Sequence, residues 1–113
     1  MNNYERITPK KPKNIESRQA HLLGGGIGSL SAAAFLIRDG KMPGKNIHIY
    51  EKLDVLGGAL DGCGTPEKGY SSRGIREIEA HFECFMDLYG TIPSLNDPSR
   101  SVLDLSLIHI SEP

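Results

Sequence analysis

Charge of one sign is what this 113-residue chain most plainly lacks: thirteen Lys and Arg stand against fourteen Asp and Glu, for a net charge of −1. That balance excludes a general attraction to nucleic acid or to an anionic membrane surface. Long hydrophobic runs are missing too. No apolar stretch approaches the ~18 residues that suggest a membrane-crossing helix, and the N-terminus carries no hydrophobic secretion core. Cysteine is scarce: Cys63 and Cys84 form no CxxC pair, and two cysteines make no disulfide framework. A cytoplasmic location is expected. What remains is ordinary for a soluble protein, 38% apolar and 24% charged, with room for one small domain.

The informative stretch runs from Gln19 to Glu51. An apolar run, Ala20-His21-Leu22-Leu23, enters Gly24-Gly25-Gly26-Ile27-Gly28-Ser29 and then the alanine-rich Leu30–Arg38. A turn at Asp39–Gly44 precedes a second apolar run, Asn46–Tyr50, closed by Glu51. Strand, glycine turn, helix, strand and acid in this order are the layout of a dinucleotide-binding half-sheet. Gly24 is expected to make the tight turn off the strand. Gly26 has no Cβ and would let backbone approach a pyrophosphate. The free N–H groups at the start of the helix, around Gly28 and Ser29, would receive the phosphate charge. Ser29 stands where the fingerprint has a third Gly or Ala, a small departure because Ser is nearly as compact. Ala32, Ala33 and Ala34 are expected to let the helix lie close to the sheet. Glu51 follows at close to the ~20-residue spacing at which an acid accepts the ribose hydroxyls. A carboxylate there repels a 2′-phosphate, which makes NADP the least fitting ligand. Glycine-rich turns also serve as plain structural turns, but here strand, helix and acid agree with the ligand reading.

Elsewhere the chain is plainer. Met1–Arg18 is polar, with Pro9, Pro12 and Lys10, Lys11 and Lys13, and reads as a disordered or loosely docked arm. Three lysines are too few to favour nucleic acid. The Gly57-Gly58 pair offers a second close backbone approach, or only a loop turn. Gly62–Ser72, rich in Gly, Pro and Ser, reads as loop. The spacing then predicts an amphipathic helix over about Ile75–Tyr89, burying Ile75, Ile78, Phe82, Phe85 and Tyr89, and stopped by Gly90 with Pro93 beyond. Arg76, Glu79, Glu83 and Asp87 fall on a solvated side. Glu77, His81 and Cys84 share a third stripe, where one acid and two further ligands are too few for a metal site. Arg73-Gly74-Ile75-Arg76-Glu77 suits a loop that meets a charged ligand, or an ordinary charged helix start with Glu77 favouring the helix dipole.

These residues resemble the N-terminal part of the FAD-dependent oleate hydratases, the myosin-cross-reactive antigens. The matching segments include Gly24–Leu30, Ala33–Gly40, Ile47–Ile49, Leu60–Gly62, Lys68–Tyr70, Arg73-Gly74, Arg76-Glu77, His81–Cys84, Ile92–Leu95 and Ser101–Asp104. The glycine fingerprint is shared by many flavoproteins, whereas Phe35–Gly40 and Arg73–Cys84 are specific. The resemblance covers about Lys10–Asp104. It implies an α/β fold, an incomplete Rossmann-like FAD-binding domain of strand–helix–strand plus an amphipathic helix. The activity implied is hydro-lyase chemistry: addition of water to a cis double bond of an unsaturated fatty acid, with FAD as a non-redox cofactor. The acid matching Glu77 would activate the water as general base. Arg76 would support the loop and its cofactor contacts, Arg73 belongs to the same cofactor-facing loop, Gly58 adds a close approach, and Glu51 matches the ribose-binding acid. No metal is implied. The family pattern has a second glycine where Ile75 stands, and a β-branched residue restricts backbone freedom there. The full-length protein is expected to be a homodimer with peripheral membrane contact, and its remaining flavin contacts and its catalytic tyrosine lie beyond Asp104.

Three organisational segments follow: an arm over residues 1–18, a truncated FAD-binding domain over 19–104, and a tail over 105–113. Leu105–Pro113 does not continue the family pattern and looks like the translation of a sequencing-library adapter. Two strands are too few for a doubly wound sheet, so the expectation is a fragment of a hydratase, itself inactive. The competing readings are a fragment of another FAD-dependent oxidoreductase, amine-oxidase-like, and a non-functional truncated product. The Arg73–Cys84 segment separates the first from the second.

Overall fold

In a computed structural model the described residues are 9–73, 79 and 81–105. They show a mixed α/β chain with two small sheets. The backbone divides into two units, one ending near residue 76 and one beginning there.

In the first unit, the alternating run Ala20–Leu23 forms β1 and Ile47–Tyr50 forms β2. They pair in parallel, Ala20 opposite Ile47 through Leu23 opposite Tyr50. Parallel neighbours need a crossover, and the chain supplies it as α1, Ile27–Arg38. Three alanines, two leucines and Arg38 favour α1, and its end is fastened twice. Asp39 and Gly40 both donate backbone N–H groups to the Phe35 carbonyl, at 2.8 and 3.1 Å. Arg38 also grips the Asp39 carboxylate with two hydrogen bonds of 2.8 and 2.9 Å while its guanidinium lies 4.9 Å from the centre of the Phe35 ring. Ala32, Ala33 and Ala34 are half-buried, and no residue of α1 is fully buried. A two-stranded sheet is too narrow to cover a three-turn helix.

One sheet face carries a polar network. His21 and His48, opposite each other in the register, stack with ring centres 5.0 Å apart. His21 Nδ1 lies 2.8 Å from the Tyr50 hydroxyl, and His48 Nε2 lies 2.8 Å from Gln19 Oε1.

The arm is anchored at Ile15 and Glu16, while its other described residues are exposed. Ile15 starts a 3₁₀ turn, Ile15–Ser17, and is 5% exposed. Asn46, equally buried, donates its side-chain amide to the Glu16 carbonyl at 2.8 Å. Burying one isoleucine contributes roughly 1.5–3 kcal/mol, enough to hold a short arm that pure polarity would leave loose.

Gly62–Ser72 is not loop. Gly62–Thr65 forms β3 and Gly69–Ser72 forms β4, an antiparallel hairpin closed by residues 66–68. Composition hides it because glycine and serine have poor strand propensity. Glycine is nevertheless what pairing needs here. Gly64 has φ +138°, and a Cβ on it would collide with the Gly69 carbonyl oxygen.

In the second unit, the helix expected from Ile75 begins only at Glu83: α2 is Glu83–Gly90. Residues 74–78 and 80 lie outside the described residues, but His81 and Phe82 are not helical. The buried residue is Leu88, at 6% exposure, while Phe82 remains 40% exposed. Short helices take their stability from a surface to pack on rather than from periodicity, and His81 and Phe82 are both exposed. Phe85 and Tyr89 do meet, with ring centres 4.0 Å apart. After α2 the chain doubles back in a Pro93–Ser101 bridge. Ser101 and Asp104 then cap the next turn reciprocally: Asp104 N–H donates to Ser101 Oγ at 3.0 Å and Ser101 N–H to Asp104 Oδ2 at 2.9 Å. This is a capping box.

Candidate functional site

The candidate site begins where β1 ends. Gly24 takes φ +93°, a left-handed value that favours glycine, and its N–H donates to the Tyr50 carbonyl at 2.7 Å. The turn is therefore tied to the end of β2 at its first residue. Gly25 is buried and held on both sides. Its N–H donates to Glu51 Oε2 at 2.7 Å, and its carbonyl accepts the Gly57 N–H at 2.8 Å. Gly26 is the N-cap of α1.

The Gly57-Gly58 pair makes the close backbone approach expected of it, but against the chain itself. Gly26 and Gly57 form a parallel bridge, and a Cβ on Gly58 (φ +58°) would come within 3.0 Å of the Gly26 Cα. Two glycine turns thus lie backbone to backbone. On its other side the first turn is open. A Cβ on Gly26 would meet only the Gly58 Cα at 3.8 Å, and one on Gly28 nothing within 4 Å. The fold alone does not require glycine at 26 or 28.

The first turn of α1 carries Ile27, Gly28 and half-buried Ser29. Gly26 offers no side-chain cap, so the cap residue takes none of the leading N–H groups of this twelve-residue helix. They carry the positive end of the helix dipole.

Glu51 stands just past β2. Its Oε1 accepts the Leu53 N–H at 3.0 Å and its Oε2 the Gly25 N–H at 2.7 Å. The Leu53 and Gly25 N–H groups hold its carboxyl below the ordinary glutamate range, because hydrogen bonds to the charged form favour it. Glu51 is ionised at neutral pH, and each oxygen keeps a lone pair for a further donor.

Arg73, at the end of the hairpin, is engaged by Asp61: Nε lies 2.9 Å from Oδ1, and Nη2 donates to Oδ2 at 3.2 Å. Shallow concavities of about 350 and 310 Å³ flank this hairpin, the second reaching Asp61 and Arg73. A larger one of about 460 Å³, lined by residues from Gly90 to Asp104, contains none of the candidate catalytic or cofactor-binding residues. Arg76 and Glu77 lie outside the described residues, as does Ile75. Among the described residues no group of three or more His, Cys, Asp or Glu is placed to hold a metal ion; Cys63 and Cys84 are free and exposed.

The structure therefore brings together Gly24, Gly26, Gly58 and Glu51, with Gly28 and Ser29 on the adjoining first turn of α1. It adds three residues whose role the fingerprint does not show. Gly25 occupies a position that the fingerprint leaves open, and Leu53 and Gly57 act through backbone N–H groups that carry no side-chain signal.

Comparison with known proteins bears on what this arrangement serves. The family model described as "MCRA family" matches residues 17–109, a span that runs past Asp104 into the tail. Over 103 residues, 90% of the chain, the sequence is 50% identical to a Streptococcus pyogenes serotype M49 (strain NZ131) protein named oleate hydratase. Over 102 residues, 76% of the chain, it is 30% identical to a Lactiplantibacillus plantarum protein named linoleate hydratase. The chain spans about 18% of the length of each of these curated relatives.

Proposed function

The chain belongs to the MCRA family, and from that premise we propose that it is the N-terminal, FAD-binding part of a fatty-acid hydratase with a Rossmann-like fold. The full protein would add water to a cis double bond of an unsaturated fatty acid. The observation that carries the cofactor half is Glu51, an ionised acid at the end of β2, fastened 2.7 Å from the glycine turn that leads into α1. The names of the two relatives support the substrate half.

The residues present fit FAD. The open side of Gly26 and Gly28 leaves room for a pyrophosphate, which the N–H groups from Gly26 to Ser29 would hold. Glu51 would take the adenosine ribose on its spare lone pairs. Gly58 closes the turn from the other side, and Arg73 and Arg76 belong to the loop that would face the cofactor. FAD itself would supply a bound, non-redox surface that shapes and polarises the site.

Glu77 carries the proton chemistry in this reading. Water is a poor nucleophile toward an alkene, so a base must orient it. As the C–O bond forms at one alkene carbon, the water proton passes to Glu77, and an acid supplied by the rest of the full-length chain protonates the other carbon. The 113 residues alone would not catalyse this, because that acid and most of the substrate site would lie in the remaining four-fifths or so of a relative's length. Full-length protein carrying this N-terminal sequence tests the reading. It should bind FAD and convert oleate to a hydroxy fatty acid heavier by one water. Protein that neither retains FAD nor hydrates oleate or linoleate would refute it.

A further inference from the structure

We infer that Glu51 is a positioning residue for the glycine turn, clamping it in its ligand-ready shape from within, in addition to any contact it makes with a ribose. The Gly25 N–H is buried and must find an acceptor. It finds one 26 residues away in the chain, on a carboxylate rather than on the backbone of a neighbouring strand. The other oxygen of that carboxylate is fixed by the Leu53 N–H at 3.0 Å, so the carboxylate is oriented before it meets any ligand. Across the same residue the Gly25 carbonyl receives the Gly57 N–H at 2.8 Å. Both peptide planes of Gly25 are thereby set, and the second of them leads into Gly26, the N-cap of α1.

The clamp also explains why position 25 is glycine. A Cβ there would sit 3.1 Å from Glu51 Oε2, 3.3 Å from Glu51 Cβ and 2.5 Å from the end of Leu56. Any side chain would push the carboxylate off its donor. A hydrogen bond to an ionised acceptor is stronger than a neutral one, and a turn fixed in advance saves the ligand the cost of ordering it. Glu51 thus acts on the phosphate end of the site through Gly25, away from the ribose it would touch directly. The ligand half of this inference rests on the nucleotide-binding reading; the clamp itself does not.

The two are separated on the 113-residue chain with two probes and one internal measurement. ADP and 2′,3′-dideoxy-ADP are titrated into wild type, Glu51→Ala and Glu51→Gln, and amide hydrogen exchange at Gly25 is followed by NMR in the same samples. The clamp requires Gly25 exchange to accelerate about tenfold or more in Glu51→Ala, with Glu51→Gln intermediate because its amide oxygen can still accept one N–H. It also requires Glu51→Ala to weaken 2′,3′-dideoxy-ADP as well as ADP, with the loss for ADP at least as large because ADP also offers the ribose hydroxyls. If Glu51→Ala does not fold, the partial acceleration in Glu51→Gln decides in its place. Unchanged Gly25 exchange in the variants overturns the clamp. So does an affinity loss that disappears with the dideoxy probe, since Glu51 would then act through the ribose alone. Absence of ADP binding by wild type would count against the nucleotide reading, while the exchange rates would still decide the clamp.

Discussion

Two regions of this chain are rich in glycine and use it in opposite ways. Between β1 and α1, glycine serves closeness: Gly25 is buried against Glu51, and Gly58 lies on Gly26 with no room for a side chain. In the β3–β4 hairpin, every residue of both strands is exposed, and glycine serves only to let two strands pair, as at Gly64. The first region spends its glycines on tertiary contacts between segments about thirty residues apart, the second on one local turn. Glycine content therefore says little by itself. What distinguishes a candidate ligand turn is that its backbone is committed to distant partners on one side and faces open space on the other.

The largest expected effect tests whether function extends beyond the glycine turn to residues that follow the hairpin in the chain. Glu77 follows shortly after β4. In the full-length protein Glu77→Gln should lower kcat by about 10²–10⁴-fold, the usual contribution of positioned proton transfer, while FAD affinity stays nearly normal. Full turnover with a lowered melting temperature would make Glu77 a helix-start charge and leave the glycine turn as the sole functional region.

Substitution within each glycine region sharpens the contrast. Gly25→Ala forces a methyl against Leu56 and Glu51, and overpacking of this kind costs about 1–3 kcal/mol. It should weaken FAD binding along with stability. Gly64→Ala meets the Gly69 carbonyl at a strained φ of +138° and should cost a similar amount, yet weaken FAD binding less than Gly25→Ala, because only Gly25 lies in the proposed phosphate turn. Equal losses of affinity in both variants would show that the two regions are not functionally distinct.

Acid provides a smaller, directional test. Hydrogen bonds from Leu53 and Gly25 lower the Glu51 pKa below its ordinary value of 4.5. A depressed acid contributes stability that is present above that ordinary value and lost as pH falls through the folded value. Glu16, Asp39, Asp97 and Asp104 are lowered as well, so acid destabilises by several routes. The Glu51 share is isolated by difference. Between neutral pH and about 4.5 the melting-temperature gap between wild type and Glu51→Gln should be constant, and below it the gap should shrink. A gap that persists at the lowest pH would mean that the carboxylate charge does not matter to the clamp.

The two regions also differ in how far the sequence exposes them. The strand–helix–strand frame around Gly24 and the acid at 51 are legible because each rests on local period and fixed spacing, which short windows carry. Gly25 is not, because a fingerprint that treats its position as variable cannot show an N–H whose partner is fixed only by tertiary structure. The hairpin escapes for the opposite reason: its pairing is local, but Gly, Cys, Tyr and Ser give no alternation of apolar and polar residues to read. The start of α2 is misplaced because Ile75, Ile78 and Phe82 keep helical spacing in sequence, whereas His81 and Phe82 are exposed and lie outside the helix. The Ser101–Asp104 capping box carries a plain local signal, a serine with an acid three residues on, at the edge of a stretch whose apolar tail draws attention elsewhere.

Gly28 gives the smallest effect and the cleanest separation of ligand from fold. It is the second residue of α1, exposed, with nothing within 4 Å of where a Cβ would be. Replacing a helical glycine in open space by alanine reduces the freedom of the unfolded chain and should stabilise by about 0.4–1 kcal/mol. Stability alone would therefore favour alanine at this position. If the first turn of α1 receives a pyrophosphate, an added methyl crowds the anion and pushes it away from the N–H groups of the turn. Gly28→Ala should then raise the melting temperature of the 113-residue chain and weaken FAD binding by the full-length protein. Thermal denaturation and a flavin titration measure the two separately. A variant that is more stable and binds FAD as tightly as wild type would remove Gly28 from the site and place the phosphate contacts elsewhere on the turn.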